Sequence, residues 1–484
     1  MYISRQKTKE KDQLSKNKKI DIAMELNVEP EKYHSDASSS RKGTRIIISL
    51  LIMPILLMLF FICSSNVLAA NHYILDGGSG DGSAWNNALD SLPSTLVRGD
   101  TYYIGDGNYE AYTFDDAESG STYIYIKKAT ASDHGIATGW ESVYGDGQAI
   151  FTGQLKFQRG YYEFDGSTVS GTTISKTPGD YGFAFDTNEF GNNYYPIQIS
   201  DGSNVKYIKI KSTHIRADYN SASACIKAKS SADATYITVS HCMFQHYNDA
   251  LSLDTHGYCT YEYNYFHRLD GVAHGDAIVM GTVDDEATGI VVRYNIFNWN
   301  GQQIFFNGGA TATFYHKDHE VYGNVFYSDE SPAASCAALK QNSSRAVVTG
   351  LKAYNNTIYN TYYAVHSNGY PSYEMSGEFK NNICYDVTTI NASSYGLVTH
   401  DYNYYDTGVS ITETHKQLGS NPFNSSGSYD LTLKTATDAG DSTIGDAYNK
   451  DMDGNTRGSY GVWDRGAYEK TALSVPSNFR IVSN

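Results

Sequence analysis

The chain has 484 residues, of which 40% are hydrophobic and only 19% are charged, so its composition excludes an intrinsically disordered protein. Its formal net charge of −16 excludes nonspecific binding of nucleic acid. The sequence contains 43 Gly and 42 Tyr but only 9 Pro, and it shows no long amphipathic helical pattern. Short strands joined by tight turns are expected, and the predicted fold class is all-β.

The N-terminal part of the chain is a basic leader followed by an apolar segment. Residues 1–45 contain 11 Lys and Arg against 7 Asp and Glu, and the run from Arg45 to Cys63 is long enough to cross a bilayer. Small residues at 66–71 (NVLAAN) suit signal peptidase, so the segment is either a cleaved signal or a retained anchor. Both alternatives predict export to the cell envelope or beyond, and a retained anchor would make the membrane a partner.

These features divide the chain into four parts. We predict a cytoplasmic leader at 1–45, a transmembrane or signal segment at 46–70, a main domain at 71–470 and a C-terminal tail at 471–484. Removing residues 1–70 leaves 26 positive and 46 negative charges, a formal net charge of −20 for the exported part. A nucleic acid partner is not expected for so acidic a domain, and the sequence makes no prediction of oligomeric state.

Five cysteines follow the apolar segment, and three of them recur at intervals of 17 residues. This spacing fits no common zinc pattern. We predict buried thiols in a core, with a single disulfide as the alternative. The five are Cys225, Cys242, Cys259, Cys336 and Cys384.

The strongest pattern in the sequence is an internal repeat of alternating strands that each end in a turn. The repeats are YITVSHCMF (236–244), TYEYNYF (260–266), IVVRYNIF (290–297), EVYGNVF (320–326), KAYNNTI (352–358) and EFKNNIC (378–384). Their turn residues, after a fainter copy at Thr213, are Cys242, Asn264, Asn295, Asn324, Asn356 and Asn382. Intervals of 22 to 32 residues predict a solenoid of strands with loops of unequal length. Asn tolerates left-handed backbone angles and can bond the Asn of the next coil, so we expect an asparagine ladder.

These repeats resemble the right-handed parallel β-helix, or pectate-lyase-like, superfamily over residues 71–470. The resemblance extends to both ends, since residues 72–109 look like a strand, a capping helix and a first coil, and 437–469 are similar to the tail of many bacterial members. For the helix, Ser83 is the expected N-cap, and the buried face is expected to hold Trp85, Ala88, Leu89 and Leu92. The superfamily includes lyases, hydrolases, esterases and noncatalytic proteins, so the resemblance implies a fold more than an activity.

A second set of strands aligns between the turns and predicts columns of side chains. CIKAK (225–229), ALSLD (250–254), AIVMG (277–281) and QIFFN (303–307) place Ile226, Leu251, Ile278 and Ile304 inward. Just before the strands come Ala224, Asp249, Asp276 and Gln302. Asp249 and Asp276 are thus predicted on successive coils, with backbones about 4.8 Å apart.

Two carboxylates so close together repel by about 3 kcal/mol at an effective dielectric constant of about 20. One Asp can stay protonated, a cation can bridge the pair, or Lys227, Arg268 and His274 can compensate the charge. The first option is typical of a hydrolase and the second of a calcium-dependent lyase, so calcium is a candidate metal on Asp249 and Asp276. Turn capping is the structural alternative for both aspartates.

The superfamily resemblance implies that the substrate groove lies along these second strands. NDALSLD (248–254) looks like the calcium-binding segment of some pectate lyases, although Ser252 stands where a further carboxylate is wanted. HGDAI (274–278) is loosely similar to the His-Gly segment of polygalacturonases, without the neighbouring Asp pair. Histidines at 241, 246, 256 and 267 have a structural interpretation, although their clustering favours a site in this stretch.

We therefore predict an exported protein that acts on polysaccharide, with three alternatives for its chemistry. The first is a polysaccharide lyase, in which a cation or Arg268 neutralises a uronate carboxylate and Lys227, Lys229 or His274 removes the adjacent proton. The second is a glycoside hydrolase that uses Asp249 and Asp276, and the third is a noncatalytic envelope protein that binds glycans or forms a rod. Candidate substrate-binding residues are Lys229, Asp254 and Trp299, the last of which can stack on a sugar ring. No organic cofactor is expected.

Overall fold

The computed structural model describes residues 69–470, except 187–194, 201–203, 217–223, 229–232, 247, 268–274, 283, 310–311, 342–344, 368–374, 391–398 and 460. The predicted leader, nearly all of the apolar segment and the tail at 471–484 lie outside this part of the chain. Within the described ranges, no helix is both long enough and apolar enough to cross a membrane.

Three long sheets of parallel strands form the body of the domain, and we number them in the order in which each coil visits them. A complete coil contributes a strand to sheet 1, then to sheet 2, then to sheet 3, and its strands pair with those of the neighbouring coils. The first sheet 1 strand and the coils after Ser367 add no described strand to sheet 3. This arrangement is a parallel β-helix, so the predicted all-β solenoid of strands is confirmed.

The bounds of the strands show how regular the coils are. Sheet 1 contains Asn71–Ile74, Thr101–Ile104, Ile124–Lys128, Tyr162–Asp165, Ile208–Lys211, Thr238–Ser240, Thr260–Glu262, Glu286–Thr288, Val291–Arg293, Phe314–Lys317, Glu320–Tyr322, Ala346–Tyr354, Met375–Lys380 and Thr399–Asp401. Sheet 2 contains Gly107–Tyr109, Ala149–Phe151, Phe183–Asp186, Thr213–Arg216, Met243–Gln245, Tyr265–His267, Ile296–Asn298, Val325–Tyr327, Thr357–Tyr359, Ile383–Tyr385, Tyr404–Asp406 and Gln417–Gly419. Sheet 3 contains Tyr112–Phe114, Leu155–Phe157, Ile197–Ile199, Ile226–Ala228, Asp249–Leu253, Asp276–Met280, Gln302–Phe306, Ala337–Gln341 and Tyr363–Ser367.

Two small sheets and six short helices complete the described elements. The small sheets pair Val205–Lys206 with Ala234–Thr235 and Phe423–Ser425 with Asp430–Leu433. The helices are all of the 3-10 type, at Trp85–Asn87, Ser142–Tyr144, Pro178–Asp180, Ser426–Ser428, Ser442–Ile444 and Asp446–Tyr448.

One apolar core runs along the inside of the solenoid. The residues predicted to point inward from sheet 3 are buried there, at 0 to 2% exposure. Phenylalanines on successive coils of sheet 2 stack with ring centroids 5.1, 4.6 and 4.7 Å apart, and such pairs contribute about 1 kcal/mol each beyond their burial. These rings belong to Phe244, Phe266, Phe297 and Phe326. All five cysteines of the domain are buried free thiols, as predicted.

The asparagine ladder lies at the corner between sheets 1 and 2. The Asn324 side-chain oxygen accepts hydrogen bonds from both the backbone and the side-chain N–H groups of Asn295, at 2.9 and 3.0 Å. The same pair of bonds joins each following rung, and the ladder members are buried at 0 to 1% exposure. It continues past the predicted end to Asn403, whose backbone and side-chain N–H groups donate to Glu413. Every rung of this corner is therefore satisfied by hydrogen bonds.

The left-handed backbone at this corner belongs to the residue before each ladder asparagine. The expectation that Asn stands in the turn because it tolerates left-handed angles is therefore wrong. His241, Tyr263, Tyr294 and Asn355 all have φ between 53° and 55°. The ladder asparagines themselves are absent from the positive-φ positions, so their amide side chain, and not a tolerance of left-handed angles, explains why Asn stands there.

The N-terminal end of the core is capped, but by a single 3-10 turn at Trp85–Asn87 and not by the predicted longer helix. Ser83 is not the N-cap, because Ala84 precedes the turn in extended conformation and no side chain caps it. Backbone groups at 82–89 bond to the first strand instead, since Leu89 N donates to Tyr73 O and Leu75 N donates to Leu89 O, at 2.9 and 2.8 Å. Of the predicted apolar face, only half-buried Leu89 and Leu92 pack against the core, whereas Trp85 and Ala88 are buried in a separate cluster with Tyr73 and Tyr103.

The C-terminal segment folds back over the corner between sheets 1 and 2 and over the outer face of sheet 2. Tyr448 packs edge-on against Tyr322 and Tyr354, each at 4.9 Å, and Tyr429 stacks on Tyr327 at 4.9 Å. Within this segment, the Asp451 carboxylate accepts hydrogen bonds from the Asn455 and Glu469 backbones and closes a turn. The C-terminal segment thus largely covers sheet 2, so the outer face of sheet 3 is the better candidate for a functional surface.

Candidate active site

A bend at the start of each sheet 3 strand brings polar side chains to the corner between sheets 2 and 3. Ala250 and Leu251 are both buried in the core, so the chain turns between them and both Asp249 and Ser252 lie on the outer side. The register pairs Asp249 with Asp276, as predicted, and Asp276 with Gln302. We call this row the corner column, and it ends with Ala337 and Tyr363.

The two aspartates of the corner column share an environment that disfavours charge. Burial raises the pKa of Asp249 to about 7, against the opposing effects of Lys227 and a backbone N–H. Burial raises the pKa of Asp276 to about 8, the Asp249 charge adds to that rise, and Lys340 opposes it. Because two neighbouring carboxylates cannot both ionise cheaply, the pair retains a proton at neutral pH.

Several buried oxygens of this corner accept no hydrogen bond from any described residue. They are Asn248 Oδ1, Asp276 Oδ1 and Gln302 Oε1. Asp276 and Gln302 are each only 4% exposed, so an unpaired polar atom on either costs about 1 to 3 kcal/mol. A hydrogen-bond donor of a ligand, or a hard cation, would satisfy these oxygens.

A second outward row runs beside the corner column and carries the cationic groups. Its register is Gln198, Lys227, Ser252, Val279, Phe305, Lys340 and His366. Lys227 Nζ donates to Ser252 Oγ at 2.7 Å. Its charge opposes the rise that burial causes in the pKa of Asp249 and of Asp254. The structure therefore brings Lys227 and both aspartates into one region.

Lys340 and His366 belong to this row, and the sequence analysis missed them. Burial lowers the pKa of Lys340, and Asp276 opposes that shift. Burial, together with the Lys340 charge, lowers the pKa of His366 to about 4, and the His366 ring stacks on Tyr363 at 4.0 Å. Extending the strand alignment to AALKQ (337–341) and YAVHS (363–367) would have found both residues.

Asp254 lies at the far end of the same face. Burial raises its pKa, and its carboxylate occupies the space beside Gly281 on the next coil. A Cβ at position 281 would lie 2.1 Å from Asp254 Oδ1, so glycine is required there for the carboxylate to keep its place.

Trp299 supports the corner from the neighbouring turn. Its indole N–H donates to the Gly275 carbonyl, and its half-buried ring packs against the core. The predicted site residues Lys229, Arg268 and His274 lie outside the described residues.

The other histidines of the stretch lie at different corners. His241 bonds the Gly171 carbonyl at 3.0 Å, His256 bonds Asp233 at 2.9 Å, and His267 accepts from Gln245 at 3.2 Å on sheet 2. Nothing in these contacts brings the three into the aspartate corner, which agrees with their structural interpretation.

Among the described residues, no group of three or more His, Cys, Asp or Glu side chains is placed to hold a metal ion. The oxygen set of Asp249, Asp276, Asn248 and Gln302 nevertheless has the chemistry that calcium prefers, and three of its oxygens lack partners.

Known protein families and curated proteins give no match to this sequence. Among solved structures, the chain is similar to the pectate lyase Pel9A, with 12% identity, a TM-score of 0.41, and coverage of 85% of this chain and 92% of that one. A family 6 polysaccharide lyase from Pseudopedobacter saltans shows 14% identity, a TM-score of 0.37, and coverage of 67% and 88%. A mannuronic-acid-specific family 6 lyase from the human gut microbiota shows 12% identity, a TM-score of 0.33, and coverage of 72% and 91%. Because these identities and TM-scores are low, the fold and the chemistry of this chain rest on its own residues.

Proposed function

We propose that this protein is a carbohydrate-active enzyme that cleaves uronate-containing polysaccharide by β-elimination on the outer face of sheet 3. The observation that carries the proposal is the register of Asp249 opposite Asp276, at a corner where burial raises the pKa of both carboxyls and the charges of Lys227 and Lys340 act on them. The neutral carboxyl of this pair can donate a hydrogen bond to a substrate carboxylate, which an ionised pair would repel. That hydrogen bond withdraws charge from the uronate and acidifies the C–H beside its carboxylate.

Lys340 is the best placed general base among the described residues. A base needs an unprotonated nitrogen near the working pH, and burial lowers the pKa of Lys340 in that direction. Its Nζ takes the proton from the carbon beside the carboxylate, and the C–H electron pair forms the new C=C bond. The C–O bond to the next sugar breaks, and the departing oxygen takes a proton from water.

A calcium ion is the alternative to the retained proton at this corner, because it would bind the pair with both carboxylates ionised. Asp249, Asp276 and the free oxygens of Asn248 and Gln302 would hold it, and a bound cation would neutralise the uronate carboxylate. The domain at 71–470 carries most of a net charge of −20, so a polyanionic substrate needs such local compensation, which Lys227 also supplies.

The experiment is to incubate the full-length protein with pectate, alginate and glycosaminoglycans, with and without calcium, and to follow the ultraviolet absorbance of unsaturated products. We expect absorbance to rise on at least one polymer, and Lys340→Gln to reduce the rate by about 100-fold or more. Lys352→Gln is the matched control, because Lys352 lies on sheet 1 in an ion pair with Glu320. The absence of unsaturated product on every polymer would exclude the lyase.

The register of Asp249 opposite Asp276 also favours a second candidate, a glycoside hydrolase of the retaining type. This candidate predicts new reducing ends without the absorbance change, and complete loss of activity in Asp249→Asn. Glycan binding that survives replacement of both aspartates, without any product, would favour a noncatalytic envelope protein.

A further inference from the structure

A row of tyrosines lies at the third corner of the solenoid, where sheet 3 leads into sheet 1. One tyrosine stands directly before each of five successive sheet 1 strands, and the register of those strands places the five in one column. The last four rings lie face to face, with centroids 4.8, 4.8 and 5.3 Å apart and planes within 22° of parallel. The tyrosine row consists of Tyr123, Tyr161, Tyr207, Tyr236 and Tyr258.

The backbone of this corner does not favour tyrosine. The last four members of the row have φ between 56° and 62°, a left-handed conformation that is unfavourable for a residue with a bulky side chain. The next three coils have the same conformation at this position and fill it with residues that tolerate it better, namely Gly289, Asp318 and Gly350. The stacked rings, and not the turn, therefore account for the residue type in the tyrosine row.

The two rings at the C-terminal end of the row are open to solvent. Tyr236 is 40% exposed and Tyr258 is 50% exposed. The next position of the corner is Gly289, where an added Cβ would touch the Tyr258 ring at 3.4 Å, so the glycine leaves that part of the ring uncovered. A reagent can therefore reach both rings, and the Tyr258 ring has room to turn.

The sulfur groups that ordinarily react first with oxidants are out of reach in this protein. The five thiols of the domain are 0% exposed, and burial raises the pKa of four of them, those of Cys225, Cys242, Cys259 and Cys336. A thiol that stays protonated and buried reacts slowly. The described methionines are 1 to 2% exposed, at Met243, Met280, Met375 and Met452. Burial of sulfur thus leaves the aromatic rings of the surface as targets of a one-electron oxidant.

We propose that Tyr236 and Tyr258 form an oxidative modification site, at which hydrogen peroxide and a haem peroxidase join the two rings as dityrosine. Each phenol loses one electron and its hydroxyl proton, and the two phenoxyl radicals form a C–C bond between ring carbons ortho to oxygen. The hydrogen on each of these carbons then moves to the phenolic oxygen, which restores both aromatic rings. Hydrogen peroxide takes up the two electrons and two protons and leaves as two water molecules.

The stack holds the two rings in position for this coupling. The register keeps Tyr236 and Tyr258 on neighbouring strands, about 4.8 Å apart, so a turn about the side-chain bonds brings two ortho carbons together. Such fixed proximity favours coupling within the molecule over coupling between molecules in dilute solution. The modification does not require the protein to be an enzyme.

The new bond would join two successive coils on the outside of the solenoid. The chain from 236 to 258 makes one coil, which carries Asp249 and Asp254 on its sheet 3 side. A covalent link between the ends of this coil restricts the unfolded chain as a disulfide does, and the five described cysteines form no disulfide. The cross-link would therefore stabilise the coil that holds the candidate active site.

The test is to oxidise dilute full-length protein with hydrogen peroxide and a haem peroxidase, and to isolate the monomer. Its dityrosine fluorescence, intact mass and linked peptides are then measured. We expect a monomer lighter by two hydrogen atoms, with Tyr236 joined to Tyr258, and a higher urea midpoint of unfolding than in untreated protein.

Two phenylalanine variants locate the coupling. Tyr236→Phe keeps a ring in the stack but removes the phenol, so dityrosine fluorescence of the monomer should fall by about fivefold or more. Tyr315→Phe is the matched control, because Tyr315 is 43% exposed on sheet 1 outside the tyrosine row, and it should change the fluorescence by less than about twofold. Equal monomer fluorescence in the two variants overturns the proposal. Coupling that joins only separate molecules, or that joins Tyr236 to a tyrosine outside the row, also overturns it.

Discussion

Two corners of the same solenoid stack polar side chains on successive coils. The side chains of one corner are fully hydrogen-bonded, whereas those of the other leave oxygens unpaired. At the corner between sheets 1 and 2, each rung from Asn264 to Asn382 donates its backbone and side-chain N–H groups to the next rung, and each side-chain oxygen accepts from the rung before it. At the corner between sheets 2 and 3, Asp276 and Gln302 are equally buried but leave oxygens without partners. Burial of a polar group costs stability unless it is paired, so the satisfied corner is built for the fold. We propose that the unsatisfied corner binds a ligand, whose donors would pair with these oxygens.

The largest effect on stability is expected when the asparagine ladder receives a carboxylate like those of the aspartate corner. Asn324→Asp places a carboxylate in the ladder, where its side chain can no longer donate to Val292 and Asn356. We expect the free energy of unfolding to fall by about 4 kcal/mol at neutral pH, as measured by urea denaturation. Asn424→Asp in the exposed C-terminal hairpin is the control and should change stability by less than about 0.5 kcal/mol. A ladder variant as stable as this control would show that the ladder bonds are dispensable.

A buried histidine pair inside the core extends the comparison to acid pH. Burial lowers the pKa of His316 to about 4 and holds that of His319 well below its ordinary value. The unfolded chain binds these protons below about pH 6.5, and the folded chain does not, so stability falls as the pH drops from about 6.5 to 4. For His316 alone the loss is about 3 kcal/mol, and His316→Gln should flatten the curve over this range. A wild-type stability that is constant across that range would contradict the buried neutral pair.

The aspartate corner should show the opposite pH dependence. The folded pKa of Asp276, about 8, is raised above the unfolded value, so its contribution to stability is complete below about pH 4 and is lost as the pH rises to 8. Asp276→Asn removes this loss, and we expect the variant to be more stable than the wild type by about 2 kcal/mol at pH 8.5. Chemical denaturation at pH 4.5 and 8.5 checks this. A variant that is less stable at pH 8.5 would mean that the carboxylate serves the fold.

The smallest expected effect concerns the packing of Asp254 against Gly281. Gly281→Ala forces the carboxylate to move from its place beside the glycine, at a cost of about 1 kcal/mol in thermal or urea unfolding. The double variant with Asp254→Ala should recover most of that loss, because the added methyl group then meets no carboxylate. If the double variant is as unstable as Gly281→Ala alone, the loss does not come from the contact between residue 281 and Asp254.

The sequence predicted most of the fold because stacking leaves a periodic trace. Turn asparagines at intervals of 26 to 32 residues predicted the ladder, and the alternating strands predicted which side chains of sheet 3 point inward. The last rung, Asn403, was missed because its bonding partner is Glu413 and not another asparagine. The capping helix was wrong because amphipathic spacing does not reveal that the backbone at 82–89 bonds to the first strand.

The candidate site could be predicted only in part. The strand alignment placed Asp249 opposite Asp276, which the register confirms. Lys340 and His366 were missed because the loops between strands differ in length and hide the continuation of the row. The direction of the two pKa shifts depends on how deeply the aspartates are buried, and the sequence alone does not show that burial.

The most direct test of the account is the protonation of the aspartate pair. Carbon-13 NMR of selectively labelled aspartate carboxyls, assigned with Asp249→Asn and Asp276→Asn, follows each group between pH 3 and pH 9. We predict that the pair still holds a proton at pH 6.5 and releases it near the values of about 7 and 8 at which the two groups titrate. If both carboxyls ionise near pH 4, the corner is an ordinary charged surface and the proposed chemistry loses its basis.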